Sequence, residues 1–309
     1  MTPLRVAMVI QRFRPEFSGQ GIQMEQLCQA LARRGVASTI VASVRGRPSD
    51  DERLDGYRVR RLRTDLLPGP LRRSGLYQPT FGLRVCAALL RERVDVVHAH
   101  GLNDGLYGAS VACCLRGLPL VFEMTLMGVD DPSSVLERRQ WLSSARHRAY
   151  RGCDAYVAMS RAFLPSYEAA GMPADRLTVI PQGVDTNRFR PLSPEARRQA
   201  RAALGLDPSG PVVAFVGSLI ERKGLDVLLA AWAIVQARRA DARLVLVGQD
   251  QFPAASDEAR FFERQWSALP AAARASVHRA GLRDDPERWL GAADAFAFPS
   301  RREGFGSAI

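Results

Sequence analysis

The sequence predicts an α/β protein of two successive domains, each a parallel sheet with helices on both faces. Three observations carry this. Short runs of β-branched and aliphatic residues alternate with segments of helical periodicity along the whole chain, the pattern of βαβ units. The alternation falls into two series, separated by a Pro-, Arg- and Gly-containing passage at 181–210, which gives domains 1–190 and 191–309. The 309 residues, 47% hydrophobic and 24% charged, suit two domains of ordinary size and exclude wholesale disorder.

The elements follow in order. Residues 6–10 form a buried strand. Met24, Leu27, Cys28 and Leu31 recur at i, i+3, i+4 and i+7, a helical stripe that stops at Gly35. Strands are expected at 38–42, 57–62 (polar and alternating) and 94–98, and a helix at about 105–115. Then come a strand at 120–124, a long helix at 134–150, a strand at 155–159, a helix after Ser160 and a strand at 177–180. The second series has strands at 212–216, 244–247, 276–279 and 295–298, with helices at about 225–238 and 258–269. The simplest architecture is two Rossmann-like domains facing one another across a cleft. Open α/β sheets bind ligands beyond the carboxyl ends of their strands.

Composition narrows the function. No apolar run approaches the roughly 18–20 residues that span a bilayer, and the start is too short in apolar residues for a secretory signal. Five scattered cysteines make no disulfide framework and no C-x-x-C pair, so a reducing cytoplasm is expected. Net charge is +11, and 42 of the 43 basic residues are arginine; Lys223 is the only lysine. Residues 1–190 carry 27 bases and 18 acids, residues 191–309 only 16 and 14, so the first domain is expected to face something anionic. The stretch from Arg53 to Arg73, with Leu66, Leu67, Leu71 and Leu76 nearby, suits peripheral docking on an anionic membrane surface. Few aromatics interleave these arginines and no reader motif appears, so no nucleic-acid partner is expected.

Several segments carry chemistry. The loop at 17–22, with Gly19 and Gly21, opens the first helix and lets backbone N–H groups approach a phosphate or sugar. The third glycine of a dinucleotide fingerprint is replaced by Met24, which argues against a nicotinamide enzyme. In the segment 95–101, His98 and His100 share one strand face, and His100 is placed past the strand's carboxyl end. A metal would need a third ligand, and only His147 and His278 remain as histidines, so no metal is expected. Glu123, Asp130 and Asp131 follow another strand as sugar-gripping groups or a base, with a solvated acidic loop as the alternative for the two aspartates. Asp185 reads as turn chemistry. The strongest cluster opens the second domain: a strand ending at Gly217, a loop with Ser218, Arg222 and Lys223, then a helix, an arrangement that suits an anion. The last strand runs into Glu303, Gly304, Phe305 and Gly306, where a carboxylate and turn amides suit sugar hydroxyls.

In this order the segments resemble glycosyltransferase family 4, the retaining nucleotide-sugar transferases of GT-B fold, over essentially the whole chain. Residues 153–160 and 179–185 match the family segments that close the first domain, 216–224 its phosphate loop, 244–248 (ending at Gly248) the next strand and turn, and 292–306 the start of its E-x7-E element. The resemblance implies transfer from a nucleotide diphosphate sugar to a saccharide or lipid-linked acceptor, without metal or resident cofactor. It implies roles for His100 beside the transferred sugar on the acceptor side, for Lys223 on the diphosphate, and for Glu303 with Gly304–Gly306 around the sugar ring. Ser218 stands where the family often has arginine, which shifts diphosphate contact toward Lys223 and Arg222. The family's histidine after the 120–124 strand is missing, which bears on the acceptor site. Only six residues follow Glu303, too few to reach the second glutamate of E-x7-E, so the chain is expected to be a C-terminally truncated fragment. Alternatives are a non-catalytic sugar-nucleotide binder and a nucleotide-sugar epimerase on the same fold. A phosphorylase would need a pyridoxal-binding lysine, and the only lysine sits in the phosphate loop.

Overall fold

A computed structural model describes residues 3–16, 18–44, 51–54, 56–64, 77–137, 143–207, 209–254 and 256–308. The chain divides into two compact units, Met1–Gln182 and Gly183–Ile309.

The first unit is an eight-stranded sheet in the order β3-β4-β2-β1-β5-β6-β7-β8. Its strands are β1 (Arg5–Ile10), β2 (Ala37–Val44), β3 (Glu52–Leu54), β4 (Tyr57–Arg63), β5 (Val96–His100), β6 (Leu120–Met124), β7 (Ala155–Ala158) and β8 (Leu177–Val179). Among the described strands of this sheet only the β3–β4 pair is antiparallel. Strand periodicity splits the core between the two faces. From β1, Val6, Met8 and Ile10 join Met24, Cys28 and Ile40 on the side of helix α1 (Gly19–Ala32). Ala7 and Val9 join Phe81, Val85, Leu106 and Ala109 of helices α2 (Tyr77–Arg91) and α3 (Asp104–Arg116) on the other. Both faces being covered, the central strands read as apolar runs rather than alternation. Helices α2 and α3 touch through glycines: a Cβ on Gly108 would lie 1.9 Å from Gly82 O.

The second unit is a four-stranded parallel sheet, β11-β10-β9-β12, built from β9 (Val212–Val216), β10 (Arg243–Val247), β11 (Val277–Gly281) and β12 (Ala295–Phe296). One face packs Phe215, Leu244 and Leu246 on Leu225, Leu228 and Trp232 of a long helix, Leu225–Arg238; the other packs Val212, Ala214, Val245 and Val247 on Trp289 and Ala292. Residues 183–192 fold with this unit, because Arg188 pairs with Glu287 at 2.8 Å and Leu192 lies against Gly291.

Several details differ from the sequence reading. The strand expected at 94–98 runs Val96–His100, so His100 is its last residue rather than a loop residue. Helix 134–150 is described as Pro132–Glu137 and Ser143–Arg151, with 138–142 outside the described residues. Helix α2 was not anticipated, although Phe81, Val85, Ala88 and Leu89 form a buried stripe at helical spacing. The passage 181–210 contains a helix, Pro194–Ala203, started by Ser193, whose hydroxyl accepts from Ala196 N. Of the basic stretch, Arg58, Arg60 and Arg61 are paired with Asp51, Glu92 and Glu52, while 65–76, with Leu66, Leu67, Leu71, Arg72, Arg73 and Leu76, lies outside the described residues. No helix among the described residues is long and apolar enough to cross a membrane.

Candidate functional site

In the second unit β9 ends at Val216, and Gly217 turns the chain out of the sheet at φ +152° while its N–H donates to Val247 O at 2.8 Å. Gly248 follows β10 at φ +150°, and a Cβ there would lie 1.9 Å from Gly217 O. The two strand ends touch because Gly248 has no side chain. Ser218 is half-buried in the loop. A 3-10 turn, Glu221–Lys223, leads to Gly224 at φ +73°, and the long helix begins at Leu225. A Cβ on Gly224 would lie 2.0 Å from Pro299 O, so the segment after β12 packs on the head of that helix.

This packing assembles a charged cluster. Lys223 Nζ lies 2.6 Å from Glu303 Oε1, Arg222 Nη1 lies 3.4 Å from the same oxygen, and the Ser300 hydroxyl donates to it. Arg222 also donates to Arg302 O at 2.8 Å, and Arg301 holds Asp226 in the first turn of the helix by two bonds of 2.8 and 2.6 Å. The Lys223 ammonium sits 5.0 Å over the Phe298 ring. Burial pulls the Lys223 pKa below the ordinary lysine range, with Glu303 opposing and Arg222 adding to the pull. Gly304 and Gly306 are buried, Gly306 at φ +84°, and Phe305 is 39% exposed. Two cations against one carboxylate leave positive charge at the helix N-terminus, where the dipole has the same sign. Such a place receives an anion.

The first unit has a second cluster at the carboxyl ends of β5 and β6. The His98 and His100 rings lie side by side, with centroids 4.1 Å apart and planes tilted by 38°. The parallel register sets Glu123 beside His100: Glu123 Oε2 lies 3.1 Å from His100 Nδ1 and 3.5 Å from His98 Nε2. These three side chains are the one group of metal-ligating type and spacing found among the described residues. Burial pushes His98 down to about 3, with His100 adding and Glu123 opposing. Burial opposes ionisation of Glu123, but the two imidazoles outweigh it and hold the carboxyl below its usual range.

Asp130 is 2% exposed, and its carboxylate accepts from the N–H groups of Leu102, Thr125 and Leu126 at 2.9, 2.9 and 3.0 Å and from the Thr125 hydroxyl. It ties the loops after β5 and β6 together, and burial raises its pKa against those bonds. Asp131, 3% exposed, accepts from Gly128 N, Ser134 N and Ser166 Oγ. Neither aspartate is a solvated loop acid, and that expectation is corrected. The Gly21 N–H donates to the Ser18 hydroxyl at 3.1 Å, and a Cβ there would crowd Phe13 and Ser18 at 3.3 Å, so packing also favours glycine at this position. Gly19, in the first turn of α1, has nothing within 4 Å of where a Cβ would be. Asp185 accepts from the N–H groups of Asn187 and Arg188, the turn expected of it. Sequence reasoning missed Ser300, which nothing local marks. It also missed Glu123 as the third member of the histidine cluster, because a third histidine was sought rather than a carboxylate one strand away.

Two Rossmann-like α/β units, with glycine-lined strand ends and a cation pair at a helix head, define the GT-B class of glycosyltransferase fold. Known proteins agree. The family model for Glycosyltransferase Family 4 matches residues 17–188, and that for Glycosyl transferases group 1 matches 210–309. The chain belongs to glycosyltransferase family 4. A D-inositol 3-phosphate glycosyltransferase of Segniliparus rotundus is 32% identical over 320 residues, covering 93% of this chain and 65% of that protein. A GDP-mannose-dependent alpha-mannosyltransferase of Mycobacterium tuberculosis is 32% identical over 257 residues, covering 80% of this chain and 63% of that protein. The chain thus spans about two thirds of the length of these relatives. Among solved structures, sucrose-phosphate synthase from Thermosynechococcus elongatus superposes with a TM-score of 0.76 at 21% identity, covering 99% of this chain and 77% of that one. Anabaena HepE in complex with UDP-glucose superposes with 0.66 at 19% identity, covering 96% and 74%. At these identities the two structures speak for the fold alone.

Proposed function

We propose that this chain carries the machinery for moving a sugar from a nucleotide diphosphate sugar to an acceptor hydroxyl, with retention at the anomeric carbon. The observation that carries the reading is the meeting of Lys223, Arg222 and Ser300 on one oxygen of Glu303 at a helix head. The chemical difficulty is departure of a nucleoside diphosphate from an oxocarbenium-like centre. Lys223 and Arg222 supply positive charge to the leaving diphosphate, as a fixed array that needs no reorganisation during the reaction. Two cations in this place do the work for which other transferases use a divalent metal, so no metal or cofactor is required. Glu303 and the turn Gly304–Gly306 orient the sugar, with Gly217, Ser218 and Gly248 leaving room for the backbone to approach the donor. The first unit supplies the acceptor side through His100, and the open position at Gly19 leaves room for backbone N–H groups to approach a donor phosphate. Attack comes from the face the diphosphate leaves. The names of the relatives, a GDP-mannose-dependent mannosyltransferase and an inositol-phosphate glycosyltransferase, support transfer over epimerisation.

Thermal denaturation against a panel of UDP-, GDP- and ADP-sugars tests the reading. A ligand at about 100 times its Kd adds roughly 2.7 kcal/mol to the native state, a shift of several degrees in midpoint. A midpoint indifferent to every nucleotide sugar would reject it. An epimerase would instead convert its nucleotide sugar with no acceptor present, which product analysis detects.

Docking of the first unit on an anionic membrane surface, where a lipid-linked acceptor would lie, is the finer part of the proposal. Its support is the charge of residues 1–190, reduced by the three arginines already paired. Flotation with anionic against neutral liposomes decides it; equal, negligible binding to both rejects docking.

A further inference from the structure

The cluster at the carboxyl ends of β5 and β6 has both the composition and the spacing of a metal site. His98 and His100 are two residues apart on one strand, so their rings fall on the same face. The parallel register places Glu123 opposite His100, and Glu123 Oε2 lies 3.1 Å from His100 Nδ1 and 3.5 Å from His98 Nε2. One ligand atom from each of the three side chains lies within 4.8 Å of the others. Zinc takes nitrogen and oxygen ligands at about 2.0–2.2 Å, which sets the edge of its tetrahedron at roughly 3.3 Å. The two separations from Glu123 Oε2 fall on either side of that edge. A third histidine is not needed, because the neighbouring strand supplies a carboxylate.

Two further observations point to a bound ion rather than to a closed set of hydrogen bonds. The Nε2 atoms of both histidines are buried with no hydrogen-bond partner among the described residues. Buried polar atoms in native proteins have partners, and an exception calls for one. The three side chains also stand on a rigid frame. Asp130 accepts from Leu102 N after β5 and from Thr125 N and Leu126 N after β6, which fixes the two strand ends against each other. Ligands held on such a frame need little ordering when an ion arrives. The Glu123 side chain keeps 12% exposure, which leaves the ion a way in.

We propose that His98, His100 and Glu123 form a zinc site of the first unit, in which one nitrogen of each imidazole and a carboxylate oxygen hold the ion and a water takes the fourth position. Two histidines and one glutamate are the protein ligands of an open zinc site. Imidazole suits zinc and its neighbours among the first-row metals, whereas Mg²⁺ and Ca²⁺ take oxygen ligands. This ion is therefore different in kind from one that would neutralise a leaving diphosphate, and the transfer chemistry, with its positive charge from Lys223 and Arg222, makes no use of it. Binding displaces whatever proton the coordinating nitrogens carry, so the site does not depend on the charge state of the metal-free cluster. All three ligands belong to the first unit, and the inference stands apart from the transferase reading. The ion would tie the end of β5 to the end of β6 and so stabilise that unit.

The experiment titrates chelator-treated full-length protein with Zn²⁺ in a calorimeter and then takes the zinc-edge X-ray absorption spectrum of the complex. Stoichiometric binding is expected, with a first shell of two imidazoles and oxygen and no sulfur. Excess Mg²⁺ should not compete, and Zn²⁺ should raise the thermal midpoint. Loss of an outer-shell partner costs about 10–100-fold in metal affinity, so loss of a ligand in H98Q, H100Q or E123Q should cost at least the upper end, roughly 100-fold. H147Q and C114S, which remove a histidine outside the cluster and the exposed cysteine, should bind as wild type does. No stoichiometric Zn²⁺ uptake by the wild-type protein overturns the proposal. So does uptake that survives in all three ligand variants, or that is lost in H147Q or C114S, or a spectrum with sulfur or a single imidazole in the first shell. Displacement by Mg²⁺ at equal concentration overturns it as well. Where a ligand variant does not fold, the wild-type absorption spectrum and the two control variants decide.

Discussion

Replacing Lys223 by methionine removes the charge and keeps most of the packing. Met is close in length and lies as well against the Phe298 ring, over which the ammonium sits at 5.0 Å. What is lost is a cation 15% exposed and 2.6 Å from Glu303, aimed at the place where the diphosphate is proposed to bind. Charge-assisted hydrogen bonds contribute about 1.5–3 kcal/mol. Arg222 stays in place 3.4 Å from the same carboxylate oxygen and can move onto the diphosphate, so the lower part of that range applies. About 1.5–2 kcal/mol is a weakening of roughly 10- to 30-fold in affinity. Isothermal titration with the nucleotide sugar that gives the largest thermal shift measures it. Removing Arg222 as well should weaken binding by more than the two single changes together, because each cation covers for the other. The companion variant E303Q separates the two ends of the donor. It frees Lys223 and leaves an amide for Ser300, so affinity for the nucleoside diphosphate alone should hold or rise while affinity for the intact nucleotide sugar falls. Binding of the nucleotide sugar to K223M within twofold of wild type would refute the assignment of Lys223 to the diphosphate.

Gly248→Ala should cost about 2–5 kcal/mol in urea-measured stability, since it adds a clash with Gly217 O to an unfavourable φ, whereas Gly19→Ala should stay within about 0.5 kcal/mol and lower only ligand affinity. The unfolded chain takes a proton on His98 near pH 6.5, while burial keeps the folded one neutral down to about 3. The unfolded state therefore binds more protons across that window, and stability should fall by about 1.4 kcal/mol per unit as pH drops from 6.5 toward 5. Urea midpoints across that range should be flatter for His98→Leu, and an unchanged slope in the variant would remove His98 as the cause.

The charged cluster of the second unit was legible because its grammar is local. A strand, a glycine, a short loop with the only lysine and a helix start all fall within 212–225, and each has its own signal: β-branched residues, positive φ, and an apolar stripe from Leu225. Glu303 was placed by a rule of topology, that ligand-binding residues collect after strand ends, and the structure sets it against Lys223 across a separation of 80 residues. The same rule says nothing of Ser300, which joins the cluster only because Gly224 lets Pro299 approach to within the radius of a missing Cβ. A contact made by absence leaves no mark near Ser300 itself.

The histidine cluster of the first unit was less legible for a different reason. An acid after a strand reads the same in sequence whether it faces solvent or pins a loop. The backbone N–H groups that decide the matter for Asp130 come from Leu102, 28 residues upstream, as well as from Thr125 and Leu126. The histidine pair needed one more fact, the register that aligns His100 with Glu123. A slip of that pairing by one residue would turn Glu123 to the other face and leave the two imidazoles with no carboxylate. Register here is held by Asp130 from the loops and by Phe122 and Tyr156 in the core below. The loop acid that sequence offered as a sugar ligand is thus the group that keeps the acid beside His100 in place. Its removal should be felt at His100 before it is felt in the fold: Asp130→Asn, which leaves one carboxamide oxygen for four donors, should loosen the two loops and broaden the His100 ring resonances while the apolar cluster beneath stays packed.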